Sequence, residues 1–411
     1  MSQTLREQAE QIVSAAIRAV LPDAAVVRAL AGASFPGKVI LVAAGKAAWQ
    51  MAKAARDFLG DGIDAGIVIT KYDHVKEPID GICCYEAGHP IPDNNTFSAT
   101  QKALELVSGL EEQDTVLFLL SGGGSALFEV PLVSGEELQE ITAQLLACGA
   151  DIVQINTIRK RLSAVKGGRF AQSCAPARVF SVVLSDIIGD PLDMIASGPA
   201  CPDSSTCADA LNIAAKYNLK LSDKALECLK TETPKTLSNV TTQITGSVRE
   251  LCAAAAAACR DLGYEPQILT TKLCCEAKEA GKMLAEVAQT HYGQGRKLVF
   301  LAGGETVVKL TGTGKGGRNQ ELALAAAMGI EGMEKVCLFS VGSDGTDGPT
   351  DAAGGYVDGY TAKKLRQQGI EIPEVLAQND AYHALQKVGG LIITGPTGTN
   401  VNDVAVLLMD V

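Results

Sequence analysis

Short, uniformly apolar runs alternate with helical patterns through the first half of the chain. The apolar runs cover residues 38–44, 66–70, 82–88, 115–120 and 178–185. Amphipathic stretches between them predict helices, including one after Gly45 and others at 135–148 and 151–163. Uniformly apolar runs are typical of strands buried on both faces, and their alternation with helices indicates a mostly parallel sheet with helices on both sides. This half is therefore predicted to be a layered α/β domain.

A polar segment poor in helix formers, residues 230–245, interrupts this pattern and contains the predicted domain boundary. The predicted domains are residues 1–237 and 238–411. Alternation then resumes, so the second domain is also predicted to be α/β. Its predicted helices lie at 249–263, 277–291, 321–329 and between 361 and 388, and its predicted strands at 266–271, 297–304, 336–345 and within 391–409. ETVVKL, residues 305–310, is interpreted as the return strand of a hairpin.

Composition and charge agree with a folded protein and exclude several partners. Of the 411 residues, 47% are hydrophobic and 20% are charged, a composition typical of folded globular proteins. A chain of this length is too long for one ordinary core. A formal net charge of −11 argues against a nucleic-acid partner, which requires a basic surface. No apolar run reaches the ~18 residues of a membrane span, so no membrane partner is expected. Residues 1–20 predict an amphipathic helix rather than a signal peptide, which indicates a cytoplasmic protein.

The cysteine pattern does not favour a metal site or a disulfide framework. There are twelve cysteines without any C-x-x-C pair, and the four histidines lie far apart in the sequence. We therefore expect reduced, mostly buried thiols.

A glycine-rich loop follows the apolar run 115–120. Its residues are Ser121, Gly122, Gly123, Gly124 and Ser125. Consecutive glycines let backbone N–H groups point into one cavity, and a helix beginning there would add positive potential, so the loop is interpreted as an anion cradle. The alternative is a tight strand–helix turn.

Cationic side chains stand in three other loops. Lys46 follows the glycine that ends the first strand, and Lys166 precedes a glycine pair. Lys315 and Arg318 lie in GTGKGGRNQE, residues 312–321. These positions suit contacts with phosphate or carboxylate groups, as phosphoryl transfer requires. The alternative for each lysine is a solvated surface charge.

The same GTGKGGRNQE segment also contains the spacing G-x-G-x-x-G at Gly312, Gly314 and Gly317. That spacing is a feature of dinucleotide-binding turns when it directly follows a strand. Residues 305–310 are predicted as a hairpin arm, not as the strand that precedes such a turn. The next acid at a strand end, Asp344, lies farther along the chain than the residue that usually binds the ribose of a dinucleotide. The spacing is therefore weak evidence for a redox cofactor. The segment is interpreted as a cationic clamp instead.

Carboxylates and one histidine also lie at predicted strand ends. His89 follows the run 82–88. The carboxylates are Asp186, Asp190, Asp344, Asp347 and Asp351. Clustered aspartates at such ends suggest Mg²⁺ or hydroxyl binding, and the alternative for any one of them is an Asx turn beside glycine.

Nine motifs, taken together and in order, resemble the class II glycerate kinases, also called the MOFRL family. They run from about residue 4 to residue 410. The motifs are AGKAAWQMA, AGHPIPD, LLSGGGSALF, NTIRKRLSAVKGGRF, LSDIIGDPLDMIASGP, AGGETVV, GKGGRNQELALA, SVGSDGTDGPTDAAGG and GPTGTNVNDV. The resemblance implies an N-terminal Rossmann-like three-layer domain, a C-terminal MOFRL α/β domain and an active site in the cleft between them.

The resemblance also implies a reaction, transfer of phosphate from ATP to the 2-hydroxyl of D-glycerate with Mg²⁺ as cofactor. The alternative, a label that members of this family also carry, is an NAD(P)H-dependent hydroxypyruvate reductase. Carried over by motif, Lys46 and Arg318 are the expected catalytic residues. Phosphate binding is expected from the residues of the SGGGS loop and from Lys315, Gly316 and Gly317. Substrate binding is expected from His89, Asn156, Arg159, Lys166, Glu305 and Asn319. The expected partners are small molecules, and the protein is expected to be a monomer or homodimer.

Overall fold

The computed structural model describes residues 4–410, and contacts divide the chain into two compact units. Pro22–Thr245 forms one unit, which we call the parallel-sheet unit. The N-terminal segment up to Leu21 and the chain from Gly246 onward form the other, the mixed-sheet unit. Both units are α/β, in agreement with the predicted fold class.

The helices and strands follow one another closely along the chain. The described helices are α1 (Leu5–Ala19), α2 (Pro22–Leu30), α3 (Ala48–Leu59), α4 (Asn94–Leu106), α5 (Gly124–Leu127), α6 (Gly135–Ala147), α7 (Ile152–Arg161), α8 (Arg169–Ser173), α9 (Cys207–Lys216), α10 (Asp223–Lys230), α11 (Val248–Asp261), α12 (Ala277–His291), α13 (Arg318–Gly329), α14 (Thr361–Gln367), α15 (Ile372–Ala377) and α16 (Ala381–Lys387). The described strands are β1 (Val39–Ala44), β2 (Ala65–Lys71), β3 (Ile82–Ala87), β4 (Thr115–Leu120), β5 (Arg178–Leu184), β6 (Val240–Gly246), β7 (Glu265–Leu273), β8 (Lys297–Gly304), β9 (Val336–Gly342), β10 (Gly354–Asp358), β11 (Leu391–Ile392) and β12 (Asp403–Asp410).

The parallel-sheet unit is built on a sheet of order β3-β2-β1-β4-β5-β6, in which the pairs from β3 to β5 are parallel. Its central strands are apolar throughout because both faces are covered. Along β1, Val42 and Ala44 enter one core, whereas Leu41 and Ala43 enter the core on the opposite face. The prediction of a mostly parallel sheet from the apolar runs is confirmed here.

The mixed-sheet unit has the order β11-β10-β9-β12-β8-β7 and differs from a parallel sheet. The C-terminal strand β12 lies between β8 and β9 and is antiparallel to both. Only β7 and β8 form a parallel pair among the described neighbours. The alternation of strands and helices in the sequence did not reveal this, because the strand that enters the centre of the sheet is the last one in the chain.

The predicted hairpin strand at 305–310 is wrong. Both edges of β8 are already paired, one with β12 and one with β7, so a returning strand has no free edge beside it. The segment is irregular and forms only a single bridge between Glu276 and Val307. Its apolar side chains Val307 and Leu310 are 58% and 80% exposed, which agrees with the absence of sheet packing.

Helix α1 packs within the mixed-sheet unit. Ile12 and Val13 share a core with Leu251 and Ala255 of α11. A capping box at Thr4 begins the helix, so the predicted amphipathic helix is present. The division of the chain differs from the predicted 1–237 and 238–411, because α1 contributes to the core that follows residue 246 and β6 extends the first sheet beyond 237.

Two further predictions concern cysteines and membranes. All twelve cysteines are free thiols, but only Cys174, Cys252, Cys259 and Cys337 are buried, so the expectation of mostly buried thiols is wrong. Within residues 4–410, no helix combines the length and apolarity needed to cross a membrane.

Candidate functional site

The SGGGS loop and Lys46 lie side by side in the parallel-sheet unit. Strands β1 and β4 are parallel neighbours with Ala44 opposite Leu120, so the residues that follow them emerge together. The amide of Lys46 donates to the carbonyl of Gly122 over 2.9 Å, and the amide of Ser121 donates to the carbonyl of Ala44 over 3.0 Å. Backbone hydrogen bonds therefore fix Lys46 against the loop.

The glycines of this loop make room for three polar side chains. Gly123 has φ +84°, and a Cβ placed there would lie 3.1 Å from both the His89 imidazole and Lys46 Cγ. A Cβ on Gly122 would lie 2.4 Å from Asp186 Oδ2. The loop thus brings Lys46, His89 and Asp186 together, as a lysine, an imidazole and a carboxylate around one set of backbone amides.

The surroundings of His89 lower its pKa and so favour the neutral imidazole. Burial lowers its pKa first, and the positive charge of Lys46 lowers it further. A neutral imidazole can accept a hydrogen bond from a substrate hydroxyl, which a protonated ring cannot do.

Lys166 and Arg159 contact the same loop through its carbonyl groups. Lys166 Nζ donates to the carbonyls of Ser125 and Phe128 at 2.9 and 2.8 Å and forms an ion pair with Glu129 at 3.0 Å. Arg159 Nη2 donates to the carbonyl of Ser125 at 3.1 Å. Both Lys166 and Glu129 are fully buried, so Lys166 supports the loop from within the protein.

Asn156 also reaches the loop, through Ser197. The Ser197 hydroxyl donates to Asn156 Oδ1 at 2.9 Å and lies 3.3 Å from the Ser125 hydroxyl. Ser197 and Ala196 have φ of 59° and 51°, left-handed conformations that non-glycine residues rarely adopt. Sequence reasoning missed this strained segment, because neither alanine nor serine signals such a conformation. Strain of this kind is concentrated at functional sites.

Arg318 is held by two carboxylates at the start of α13 in the mixed-sheet unit. Its Nε and Nη2 donate to the two oxygens of Asp403 at 2.6 and 3.0 Å, and Nη1 lies 3.0 Å from Glu305 Oε1. Burial lowers the pKa of Arg318, but the bidentate bond to Asp403 outweighs burial, so the net shift is upward. Burial has the opposite effect on the carboxyl of Asp403 and raises its pKa to about 6. Asp403 lies in the GPTGTNVNDV motif, but the sequence did not indicate that it pairs with Arg318.

The glycine spacing before Arg318 serves packing. A Cβ on Gly312 or Gly314 would lie 2.4–2.5 Å from atoms of Gln378 or Asp380. Gly317 is extended, with φ −140°, and the segment from β8 to α13 contains no strand among its described residues. The geometry is therefore not that of a turn joining a strand directly to a helix, as dinucleotide binding requires.

Lys315 lies in the same segment. Its ammonium is 4.3 Å from the centre of the Tyr382 ring, a cation–π contact, and its amide donates to Asp380 Oδ1 at 2.9 Å. Gly316, next to it, packs beside Ala381. The aromatic contact orients the lysine without neutralising its charge.

Of the five aspartates proposed for Mg²⁺, the three in the mixed-sheet unit accept hydrogen bonds from groups of that unit. Asp347 accepts the amides of Asn319 and Gln320 at 3.1 and 2.9 Å and so caps α13. Asp351 accepts the hydroxyl of Tyr382 at 2.7 Å, and Asp344 accepts the amide of Thr346 in an Asx turn. The contact of Asp344 matches the Asx-turn alternative, whereas Asp347 caps a helix and Asp351 accepts a tyrosine hydroxyl.

Asn319 is also committed to local contacts. It is buried, its Oδ1 accepts the hydroxyl of Ser340 at 2.6 Å, and its Nδ2 donates to Asp347 at 3.3 Å. Its side chain therefore braces α13 beneath Arg318.

Asp186 and Asp190 lie after β5, in the parallel-sheet unit. Asp186 is beside Gly122, and Asp190 adopts a left-handed φ of 54° in the same loop. Within the described part of the chain, no three acidic, histidine or cysteine side chains form a metal cluster. Mg²⁺ that accompanies a nucleotide is usually held by phosphates, waters and one or two carboxylates, so Asp186 beside a phosphate-type loop fits that role.

Each unit thus presents a set of charged and polar groups at loops that follow its strands. One unit carries an amide-rich glycine loop flanked by a lysine, an imidazole and a carboxylate, and the other carries an oriented arginine at a helix N-terminus. These features define a class of α/β proteins suited to binding and transferring anionic groups.

The comparisons with known proteins agree with that class. Residues 298–403 match the MOFRL family, and residues 8–230 match a domain of unknown function, DUF4147. A D-glycerate 2-kinase of Thermotoga maritima is 53% identical over 413 residues, with 99% of each chain covered. A crystal structure of a glycerate kinase from Thermotoga maritima matches with a TM-score of 0.94 and covers 98% of this chain and 99% of that chain. The chain belongs to the MOFRL family.

A third relative carries a different name. A protein of Agrobacterium vitis, 38% identical with 98% of this chain and 94% of its own length covered, is named "Putative hydroxypyruvate reductase". The irregular segment before Arg318 gives no structural support for a nicotinamide site of the type that its glycine spacing suggested.

Proposed function

We propose that this protein is an ATP-dependent glycerate 2-kinase, which converts D-glycerate and ATP to 2-phosphoglycerate and ADP. The observation that carries the proposal is the end-to-end similarity to the Thermotoga maritima D-glycerate 2-kinase at 53% identity. The glycine loop and the two oriented cations give the proposal a chemical basis, because phosphoryl transfer depends on positioning and on positive charge at the migrating oxygens.

The reaction forms a bond between the 2-hydroxyl oxygen and the γ-phosphorus and breaks the bond from that phosphorus to the β,γ-bridging oxygen. Amides of the SGGGS loop would bind phosphate oxygens, with Lys46 supplying a point charge beside them. Arg318 would supply a fork of fixed N–H donors to the transferred group. As the new bond to phosphorus forms, the single proton of the 2-hydroxyl would pass to one base, either the neutral imidazole of His89 or the carboxylate of Asp186 or Asp190.

Mg²⁺ would enter with ATP, and the carboxylate of Asp186 or Asp190 would hold it beside the loop. When bound, the ion neutralises negative charge on the β- and γ-phosphate oxygens.

We further infer a cytoplasmic monomer or homodimer that acts on small molecules, and light scattering on the purified protein would distinguish the two assemblies.

The activity is tested by supplying D-glycerate and Mg·ATP and measuring ADP. The product is identified by adding enolase, which consumes 2-phosphoglycerate directly. We expect ADP formation that depends on glycerate, with a product that enolase accepts. Absence of ADP together with oxidation of NADH by hydroxypyruvate would contradict the kinase and favour the reductase.

The two cations are tested by Lys46→Ala and Arg318→Ala. Each is expected to lower kcat by on the order of 10³-fold or more, because each removes positive charge from the transition state. Lys224→Ala and Arg366→Ala, at exposed helix positions, are the matched controls and should retain normal rates. Thermal unfolding of each variant separates loss of function from loss of fold. Near-normal turnover in either site variant would remove that cation from the mechanism.

A further inference from the structure

A charged cluster is buried beneath the SGGGS loop. Its members are Lys166, Arg159 and Glu129, and Lys166 and Glu129 are fully buried. The Lys166 ammonium donates to the carbonyls of Ser125 and Phe128 and forms an ion pair with the carboxylate of Glu129. Two cations facing one carboxylate leave a net positive charge inside the protein beneath the loop.

Two positive side chains meet at one carbonyl of this loop. Ser125 accepts from both Lys166 Nζ and Arg159 Nη2, at 2.9 and 3.1 Å. A carbonyl that is held inward by two cations cannot rotate outward to face an anion. The cluster thereby holds the end of the loop with the Ser125 carbonyl toward the interior, and its net charge acts through a low-dielectric medium.

We propose that Lys166, together with Arg159 and Glu129, positions the SGGGS loop for binding the phosphates of ATP, and that its positive charge strengthens that binding from beneath. The proposal rests on the proposed kinase function and adds a residue that acts through the loop without touching the nucleotide. Lys166 is therefore a positioning residue rather than a catalytic one.

The same burial makes Lys166 sensitive to pH. Burial lowers its pKa to about 8, and the negative charge of Glu129 opposes that decrease whereas the charge of Arg159 adds to it. These are the charged groups that act on Lys166 from the segment after α5 and from α7. As the pH rises through about 8, the ammonium loses its proton, and the cluster loses its net positive charge together with one hydrogen-bond donor. Phosphate binding should weaken over that range.

The test compares Lys166→Met, Lys166→Arg and Glu129→Gln with the full-length protein, by measuring kcat and KM for Mg·ATP between pH 6.5 and 9.5. Lys166→Met should raise KM for Mg·ATP by about ten- to a hundredfold, with a smaller change in KM for glycerate, because two charge-assisted hydrogen bonds to the loop are lost. In the unaltered protein KM should rise above about pH 8.

The other two variants separate charge from packing. Lys166→Arg keeps a positive charge that does not titrate in this range, so low KM at pH 7 and loss of the rise near pH 8 are expected. Glu129→Gln removes the negative charge that raises the pKa of Lys166, so the rise in KM for Mg·ATP should begin at lower pH. Lys160→Met is the matched control, since Lys160 is also buried but pairs with Asp203. Its substitution should leave the rise of KM near pH 8 unchanged, because Lys166 is the group that titrates there.

The outcomes distinguish this inference from the kinase assignment. Absence of glycerate-dependent ADP formation in the unaltered protein would contradict the kinase itself. An active kinase whose KM for Mg·ATP is unchanged in Lys166→Met, or whose pH profile is the same in Lys166→Arg, would overturn the role of Lys166 alone. Circular dichroism of each variant confirms that the compared proteins are folded.

Discussion

The orientation of Arg318 depends on two carboxylates with different surroundings. Asp403 is buried and holds the guanidinium through two hydrogen bonds, whereas Glu305 is exposed and contacts only Nη1. A buried bidentate pair fixes the plane of the guanidinium, while an exposed pair is screened and contributes little. At the scale of single residues, we therefore expect Asp403 rather than Glu305 to determine where Arg318 points.

Substitution of Asp403 should change how activity depends on pH. Because burial raises the pKa of Asp403 to about 6, this carboxyl gains a proton as the pH falls through 6 and loses its charge toward Arg318. We expect kcat of the unaltered protein to fall below pH 6. Asp403→Asn should have a lower kcat at pH 7, by roughly tenfold or more, and should lack the decline that Asp403 causes.

The comparison for this prediction is Glu305→Gln, which alters the exposed partner. Its kcat should remain within a few-fold of normal because the pair is solvated. Measurement of kcat between pH 5 and 8 with both substrates saturating separates the two variants. If kcat of Asp403→Asn still falls below pH 6 as in the unaltered protein, another group titrates there.

At the scale of elements, Asp347 ties a loop to the start of α13. It accepts two backbone amides of that helix and is buried, although burial raises its pKa and thus opposes its ionisation. A Cβ on Gly317 would lie 2.3 Å from the Asp347 side chain, so the glycine before Arg318 is needed for this close approach. The cap therefore sets both the beginning of α13 and the place of Arg318.

Removal of the cap should destabilise the protein and disturb the arginine. Asp347→Ala is expected to lower the free energy of unfolding by about 1–3 kcal/mol, because two helix amides lose their acceptor. Asp347→Asn retains one acceptor oxygen and should lose less. Urea unfolding provides the measurement, and Asp351→Ala, at an exposed site in the same loop, is the control. Equal losses in the Asp347→Ala and Asp351→Ala variants would contradict a specific capping role.

The sequence predicted local features well and long-range pairing poorly. The strands from β1 to β5 were predictable because apolar runs and glycine ends are visible within a few residues of one another. Asp347 was predicted to be a metal ligand, although it caps α13. That helix begins 29 residues earlier in the chain, and no nearby sequence feature indicates that the aspartate and the helix are in contact. The centre of the mixed sheet was missed for the same reason, since β12 pairs with strands formed much earlier in the chain.

The predicted site residues show the same division. The loops after β1 and β4 were predictable as neighbours, because parallel strands end at one edge of a sheet. The partners of Lys166 and Arg318 were not, since a carboxylate such as Glu129 or Asp403 is indistinguishable in sequence from a surface or turn residue. Burial and pairing decide what these charges do, and both depend on contacts across the fold.

At the scale of the whole molecule, the N-terminal helix α1 and the C-terminal part of the chain form one compact unit. Helix α1 lies before the entire parallel-sheet unit in sequence, yet its apolar face belongs to the core that contains α11 and β8. Ile12 is completely buried in that core. The mixed-sheet unit is therefore made of two separate segments, and its stability depends on a helix that is synthesised more than 200 residues before the rest of it.

Substitution of Ile12 tests this arrangement. Ile12→Ala should lower the stability of the mixed-sheet unit by about 2–5 kcal/mol, because it removes buried methyl and methylene groups and leaves a cavity. Hydrogen exchange followed by mass spectrometry should show faster exchange in α11 and β8, whereas β1 and β4 retain their protection. Ser14→Ala, at an exposed position of the same helix, controls for changes in helix propensity. Faster exchange confined to β1 and β4 would place α1 in the other core, and unchanged exchange in α11 and β8 would show that α1 contributes little to the unit it completes.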